Sequence, residues 1–157
     1  MHLIKIAILL LPFGLSAQLE CENPSSEAKG KCITNYSGGE IRIKGKIKNG
    51  ERHGKFTTYF VTGQKESIVK YDGGKQSGVY RSFFMNGNLR KQFLYVDGVA
   101  HGDYIEYHDN GFIRAQGQVS ESLRSGVWTF KDPHGNVIES VDYDKVEDEV
   151  SRKIDER

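Results

Sequence analysis

The amino-acid sequence predicts an all-β protein: an elongated, open antiparallel β-meander of tandem β-hairpin repeats, each 24 residues long. Glycines recur at that spacing in three series, and aromatic residues recur at the same spacing between them. The segments between the glycines are rich in aromatic and β-branched residues, which favour strands. No stretch between residues 39 and 143 shows a helical periodicity long enough to compete with this prediction.

The start of the chain has the pattern of a secretory signal peptide over residues 1–17. Lys5 supplies a positive charge, an apolar run covers residues 6–15, and small residues offer a cleavage site after Ala17. This run is too short to span a bilayer, which needs about 20 residues. A buried N-terminal strand or helix is the weaker interpretation. We therefore expect an exported protein, periplasmic or extracellular, with no transmembrane segment in its mature chain.

The composition of the chain excludes several classes of protein. Its 157 residues fit one ordinary domain, and its 8 Tyr and 8 Phe residues are too many for a disordered chain. It carries 22 Lys and Arg against 21 Asp and Glu, and loss of Lys5 with the signal peptide would leave 21 of each. A neutral mature chain has no overall attraction to nucleic acid or to anionic lipid.

Two cysteines, Cys21 and Cys32, predict one disulfide in an oxidising compartment. The polar segment between them is flexible enough to close the loop. Two unpaired thiols remain an alternative. A lipid anchor on Cys21 is disfavoured, because Glu20 stands where a lipoprotein needs a small residue. A metal site is also disfavoured, because no further ligands lie nearby in the sequence.

The glycine spacing divides the chain into units that begin at residues 39, 63, 87 and 111, with a partial fifth unit from residue 135. Within each unit, a second glycine precedes an aromatic residue by two positions. These pairs are Gly54 and Phe56, Gly78 and Tyr80, Gly102 and Tyr104, and Gly126 and Trp128. We interpret them as structural positions of the repeat, because one hairpin is marginal in water and stacked hairpins bury one another's aromatic rows.

A further aromatic row, Tyr59, Phe83 and Tyr107, follows the same glycines by five positions. Strict alternation places Phe56 and Tyr59 on opposite faces, so either a bulge rotates the strand or both faces carry aromatic rows. The row is open to two interpretations: cross-strand packing, or the lining of a groove for a peptide, a glycan or another protein. Four basic residues would add polar contacts to such a groove: Lys55, Arg81, Arg90 and Lys91.

Each unit is predicted to contain a strand, a loop, a second strand and a tight turn. Asn86-Gly87 and Asn110-Gly111 are typical of two-residue hairpin turns, in which both residues take positive φ. The other connection, such as residues 72–77, is predicted to be the longer loop.

Four segments follow from these observations: the signal peptide 1–17, an N-terminal cap with the disulfide 18–38, the repeats 39–143, and a C-terminal segment 144–157. In the last segment Asp144 is a candidate cap for a short helix, and a solvated tail is an equally good interpretation.

The repeating pattern resembles the MORN repeat, with G-x-[FYW]-x-x-[YF] followed by x-x-G and a second strand. It is closer to the bacterial MORN variant that is often labelled a YwqK-type antitoxin. Residues 53–56 (HGKF) with Tyr59 match that variant, as do residues 101–104 (HGDY) with Tyr107. Residues 125–128 (SGVW) carry the tryptophan without the later aromatic residue.

The resemblance covers about residues 38–143 and implies a fold and a role. The fold is an elongated, twisted antiparallel sheet with a groove. The role is association with proteins or membranes, and the antitoxin label implies neutralisation of a partner toxin.

No catalytic or metal-binding motif is present in the sequence, whether H-E-x-x-H, G-x-S-x-G, a P-loop or G-x-G-x-x-G. We expect a non-enzymatic module that needs no cofactor or metal and binds another protein. A toxin-neutralising protein and a membrane-surface module are the alternatives, and an enzyme acting on glycans at the repeat ends is the weakest. A glycan or a lipid surface is compatible as a ligand, whereas nucleic acid is not expected.

Overall fold

The computed structural model describes residues 19–145 as one open antiparallel sheet, which confirms the predicted all-β meander. The predicted signal peptide lies outside the described residues. The strands are β1 (Gly30–Asn35), β2 (Ile41–Lys48), β3 (Glu51–Arg52), β4 (Gly54–Tyr59), β5 (Lys65–Asp72), β6 (Lys75–Phe83), β7 (Leu89–Val96), β8 (Val99–Tyr107), β9 (Ile113–Ser120), β10 (Leu123–Lys131) and β11 (Val137–Asp142).

The strands pair in chain order from β1 to β11, except that the short β3 pairs only with β2 beside this path. At about 4.8 Å between neighbours, the ribbon measures about 43 Å across its strands. The register repeats along it. Thr57 lies opposite Ile68, and Ile105 and Gln116, each 48 positions further on, lie opposite each other too. Positions 24 residues apart therefore occupy equivalent places in the sheet.

The connections along one long edge of the ribbon are the tight two-residue turns. Gly73-Gly74 joins β5 to β6 with φ values of 50° and 75°, and Asp97-Gly98 joins β7 to β8 with 49° and 88°. Positive φ at both positions is the type I′ pattern. Glu121-Ser122 adopts the same conformation without glycine, with φ values of 51° and 69°.

The connections along the opposite edge are three-residue loops, so the predicted turn type at the Asn-Gly pairs is wrong. The Gly111 N–H donates to the His108 carbonyl at 3.0 Å, and the His108 N–H donates to the Phe112 carbonyl at 2.8 Å. Gly111 has a φ of 90°, whereas Asn110 keeps a negative φ. This is a type I turn followed by a left-handed glycine. Asn110 suits it because its side-chain oxygen accepts the Phe112 N–H at 3.2 Å.

A β-bulge explains why aromatic residues occur at both odd and even positions along a strand. The register shifts between Thr58 and Tyr59, and again between Glu106 and Tyr107. The strands carry a second irregularity at the repeat glycines. Gly54 has a φ of 73° with open space around it, so glycine is required there by the backbone conformation and not by a close contact.

The periodic geometry begins before residue 39. Gly30 has a φ of 127°, like the positive-φ glycine 24 residues later, and Cys32 takes the position that Phe56 holds in the next unit. The Gly50 N–H donates to the Ala28 carbonyl at 2.9 Å, and the equivalent bond recurs along the turn edge. A disulfide-bonded cysteine therefore stands where later units carry an aromatic ring.

Cys21 and Cys32 form the predicted disulfide, with their Cα atoms 5.0 Å apart and both side chains buried. The Cys21 N–H donates to Thr34 Oγ1 at 3.1 Å, and Arg52 Nε donates to the Cys21 carbonyl at 3.3 Å. These bonds fasten residues 19–29 to the first strands. A buried structural disulfide fits an oxidising compartment.

Two hydrophobic clusters lie on one face of the sheet, which we call the inner face; the opposite one is the outer face. The first cluster comprises Cys21, Cys32, Ile43, Ile47, Phe56 and Val69. The second comprises Ala100, Ala115, Val119 and Trp128. Tyr95 packs against both clusters and links them.

The described chain ends just after β11, with residues 143–145 in helical conformation. Asp144 Oδ1 accepts the Gly126 N–H at 2.7 Å, so this carboxylate is tied to β10. The predicted helix or tail beyond residue 145 lies outside the described residues. Within residues 19–145, no helix has both the length and the apolar character needed to cross a membrane.

Candidate functional site

Aromatic side chains form a row across the inner face, in which ring contacts are continuous from Tyr80 to Tyr143 while Phe56 and Tyr71 form a separate pair. Ring centroids lie 4.8 Å apart for Tyr80 and Phe93, 5.4 Å for Phe93 and Tyr104, and 5.2 Å for Tyr104 and Trp128. These are the separations that aromatic pairs prefer. We call the row the aromatic ladder; it comprises Phe56, Tyr71, Tyr80, Phe93, Tyr95, Tyr104, Trp128, Phe130 and Tyr143.

Two glycines make room for the most buried rings of the ladder. A Cβ at Gly117 would lie 2.5 Å from the Trp128 indole, and a Cβ at Gly45 would enter the ring of Phe56 in the same way. Neither glycine has the positive φ of the repeat glycines. Their role is therefore to let an aromatic ring lie flat on the neighbouring strand, as ring-over-glycine pairs do in sheets.

The ladder is covered at both ends and open in the middle. Residues 19–29 cover the first end, and the Arg124 guanidinium covers the other, 4.4 Å from the Trp128 ring centroid. Tyr80 and Phe93 between them are only half-buried. Outside the strands, the part of the chain that the structure describes consists of residues 19–29, short connections and residues 143–145, of which Tyr143 packs against Trp128 at the last end. None of these segments covers the middle of the ladder among the described residues.

Tyr95 and Tyr104 belong to this open stretch and keep their protons at neutral pH. Burial raises the pKa of both hydroxyls above the usual value, mainly because the phenolate would lose solvation. For Tyr104, the neighbouring Glu106 carboxylate adds to this rise. The open stretch of the ladder is therefore an uncharged aromatic surface with polar edges.

Beside the ladder, small hydroxyl side chains open a groove. Thr58 lies opposite Ser67, and Ser67 lies opposite Ser82, so the hydroxyls form a row across β4, β5 and β6. The cavity above them has a volume of about 290 Å³. We call it the hydroxyl groove; it is lined by Thr58, Glu66, Ser67, Tyr80, Ser82, Phe83, Arg90 and Lys91.

Ser82 in this groove is buried without a hydrogen-bond partner. It is 6% exposed, and its Oγ makes no hydrogen bond, whereas Thr58 Oγ1 and Ser67 Oγ bond to each other at 2.7 Å. An unsatisfied buried hydroxyl costs about 1–3 kcal/mol. Its Oγ is closed to solvent, so a bound group would reach it only after the neighbouring side chains move.

Two cations stand beside Ser82 without a carboxylate partner in residues 19–145. The Arg90 guanidinium lies 5.9 Å from the Phe84 ring centroid and forms no ion pair, and neither does Lys91. Lys91 lies opposite Glu106, but the Glu106 carboxylate bonds Arg114 at 2.8 Å. The groove therefore offers both cations to a bound group.

The three residues of the predicted binding row lie apart from one another in the structure. Tyr59, Phe83 and Tyr107 end β4, β6 and β8, so successive members lie about 10 Å apart, two strand spacings. No ring pair joins them among the described side chains. Phe83 lines the hydroxyl groove, and Tyr107 lines an adjoining groove of about 330 Å³ that shares Arg90. Whether these three residues bind a partner stays a prediction.

The four basic residues expected to assist that row are divided between the two faces. Arg90 and Lys91 line the hydroxyl groove on the inner face. Lys55 and Arg81 line a different groove on the outer face, together with Ile68.

Phe93 and Ser82 are the residues of this site that sequence reasoning missed. Phe93 occupies a repeat position where other units carry Gly45 or Gly117, so no aromatic series marks it. The pairing of large rings with glycines on the next strand is the signal that could have identified this position. Ser82 carries no comparable signal, since its burial depends on the rings packed around it.

No protein-family model matches this chain, and no curated protein matches it significantly. The resemblance to MORN repeats therefore stays a prediction. Over residues 19–145, no group of three or more His, Cys, Asp or Glu side chains is arranged to hold a metal ion.

Proposed function

We propose that this chain is an exported, non-enzymatic repeat protein that binds another protein across the middle of its inner face. The observation that carries the proposal is the hydroxyl groove beside the open stretch of the aromatic ladder. The same place offers two unpaired cations and half-exposed rings. Aromatic residues and arginine are the residue types that dominate binding energy at protein interfaces.

The shape of the site favours a macromolecule over a small ligand. Small-molecule sites are concave and bury most of the ligand. Here two shallow grooves adjoin at Arg90, and the open rings of Tyr80, Phe93 and Tyr104 continue beside them. An extended segment of a partner protein would fit such a surface. The disulfide supports a place outside the reducing cytoplasm, in agreement with the predicted signal peptide.

Affinity capture with matched variants tests this proposal. The mature chain is used as bait in envelope and medium fractions of its source cells, alongside a groove variant, Phe83→Ala with Arg90→Gln. The control variant, Phe112→Ala with Lys75→Gln, also removes one phenyl ring and one positive charge, at exposed positions away from the groove. We expect one protein to be captured by the wild type and the control, and about tenfold less by the groove variant, a loss typical of an interface hot spot.

The captured protein must then bind the purified chain in calorimetry with the same ranking of variants. Urea unfolding of both variants checks that each of them is folded. A single Tyr59→Ala change should leave binding unchanged, because Tyr59 does not line the hydroxyl groove. Equal capture by all variants would contradict the proposal, whereas capture of a toxin would identify the partner as the one the antitoxin label implies.

A further inference from the structure

The outer face, which the proposed function leaves unused, repeats one pair of directly opposed residues in every unit. The first member of each pair precedes an inner-face residue such as Phe56 or Trp128 by one position, so it points to the outer face. The second member shares that face because it lies opposite the first in register. We call them the outer pairs; along the chain they are Lys31 with Lys46, Lys55 with Lys70, Val79 with Leu94, Asp103 with Gln118, and Val127 with Asp142.

The outer pairs change from basic through apolar to acidic along the ribbon. The first two pairs are all lysine, and each of the last two carries one carboxylate. The middle pair is apolar, with Val79 41% and Leu94 39% exposed, and it lies on β6 and β7, the fifth and sixth of the ten strands in the sheet path. A two-fold axis parallel to the strands at this pair would bring the basic part of one copy of the chain against the acidic part of a second copy.

A second row on the outer face has the same symmetry. Four residues lie directly opposite one another in succession on β5, β6, β7 and β8: Ile68, Arg81, Gln92 and Ile105. The two isoleucines therefore flank the middle strands at one strand's distance on either side. Rotation about the same axis would place Ile68 of one copy over Ile105 of the second, and Arg81 over Gln92. On these four strands the rotation brings apolar residues together and places no two like charges opposite each other.

We propose that a second copy of this chain binds the outer face, forming a two-fold dimer in which Lys70 of each copy pairs with Asp103 of the other. Lys70 and Asp103 each lie two residues from one of the isoleucines, on β5 and β8, so the rotation places them opposite each other. Neither forms an ion pair within residues 19–145, and the Asp103 carboxylate accepts a hydrogen bond from Gln118 Nε2. A self-complementary pattern of this kind is what a two-fold interface requires.

The outer face has the size and the arrangement of residues that a stable interface needs. With a width of about 43 Å and strands about 26 Å long, it has a projected area of about 1,100 Å², whereas a standard interface buries about 800 Å² on each partner. Exposed apolar residues lie at its centre and charged residues around them, as in known interfaces. Sheets that pack face to face keep their strands nearly aligned, and an axis parallel to the strands produces this alignment.

Sedimentation velocity of the mature chain between about 1 and about 300 μM, a range that includes weak specific complexes, tests the proposal. We expect a dimer that dissociates on dilution and is weakened by added salt. Lys70→Glu alone and Asp103→Lys alone should each weaken the dimer by about tenfold or more, because each change sets like charges opposite each other at two symmetric places. An equal mixture of these two variants should dimerise again, because each changed residue then meets the opposite charge. The double variant should dimerise for the same reason.

The control variant, Lys65→Glu with Asp109→Lys, reverses the same two charges at exposed positions outside the outer pairs and should dimerise like the wild type. A wild type that stays monomeric over the whole range would overturn the proposal, and so would a mixture of the two single variants that stays monomeric. Association that continues beyond the dimer would also overturn it, because the open edges of the sheet would then be the binding sites. Phe83→Ala with Arg90→Gln changes the inner face and should dimerise normally, so a failure of the proposed function remains distinguishable.

Discussion

The two ends of the ribbon both place an arginine over aromatic rings, Arg52 at the first end and Arg124 at the last, but only the first end also has the disulfide. At the first end, the Ile33 N–H donates to the Leu19 carbonyl at 2.9 Å, and the buried disulfide holds the covering segment in place. At the last end, β11 leaves Val137 and Ile138 60% and 68% exposed. There the Arg124 guanidinium lies over the final rings, and Tyr143 packs edge-on against Trp128.

The comparison shows that one repeat position supplies the arginine at both ends, residues 52 and 124, whereas the disulfide is a local addition to the first end. Each hairpin contacts only its neighbours, so the stability of the array is close to a sum of local terms. The end with the disulfide and the end without one should therefore open independently, and the end without the disulfide should open first.

Removing the indole at the last end should have the largest effect. Trp128 is 1% exposed and contacts Tyr104, Phe130 and Tyr143. Trp128→Ala should lower the free energy of unfolding by about 3–5 kcal/mol, measured by urea denaturation. Hydrogen exchange should show the loss of protection in β9 to β11 before β1 and β2. A uniform loss across the sheet would contradict independent ends.

Removing the disulfide should produce the opposite pattern. Cys21→Ser with Cys32→Ser should cost about 3 kcal/mol, the value expected for closing so short a loop. The same exchange experiment should place the loss in β1 and β2 and spare β9 to β11. If the serine variant loses protection at the last end instead, the covering segment does not act locally.

Substitution of the glycines gives a sharper test of how the aromatic rings pack against the neighbouring strand. Gly117→Ala should cost about 1–3 kcal/mol, because its Cβ would displace the Trp128 ring. Gly126→Asn should cost less, because Gly126 has open space and a φ of 62°, which asparagine tolerates. Urea unfolding of both variants gives the order. The reverse order would mean that the positive φ at Gly126 costs more to substitute than the ring contact at Gly117 does.

The cation that covers the last end should contribute less than the ring beneath it. The Arg124 guanidinium lies 4.4, 5.4 and 5.2 Å from the ring centroids of Trp128, Phe130 and Tyr143. Arg124→Gln should cost about 1 kcal/mol in urea unfolding, as exposed cation–π contacts do. Arg124→Lys should recover part of it. Equal stability of all three proteins would show that the rings need no cation.

The repeated part of this fold could be predicted from the sequence, because the glycines and the packed aromatic residues recur at a fixed spacing along the chain. The order of the strands follows from that pattern, whereas the disulfide follows from the pair of cysteines and the predicted export. The turn types could not be predicted in this way. Asn110-Gly111 is compatible with two kinds of hairpin loop, and only the register of the flanking strands selects one of them. The hydroxyl groove is equally hidden, because Ser82 becomes a buried donor only when its neighbours pack.

Tyr95 allows a test of the link between the two ends, because it packs against both hydrophobic clusters. Desolvation, with smaller contributions from Tyr80 and Tyr71, raises its pKa in the folded chain above the usual value of 10.0. Above about pH 10 the unfolded chain therefore releases this proton more readily than the folded chain does. The stabilisation is complete below that pH and is lost as the pH rises through the folded pKa. In urea unfolding between pH 8 and pH 11, Tyr95→Phe should show a shallower alkaline decline than the wild type, by a small margin. Equal declines would place the alkaline sensitivity elsewhere, and would mean that the link between the two clusters stays solvated in the folded ribbon.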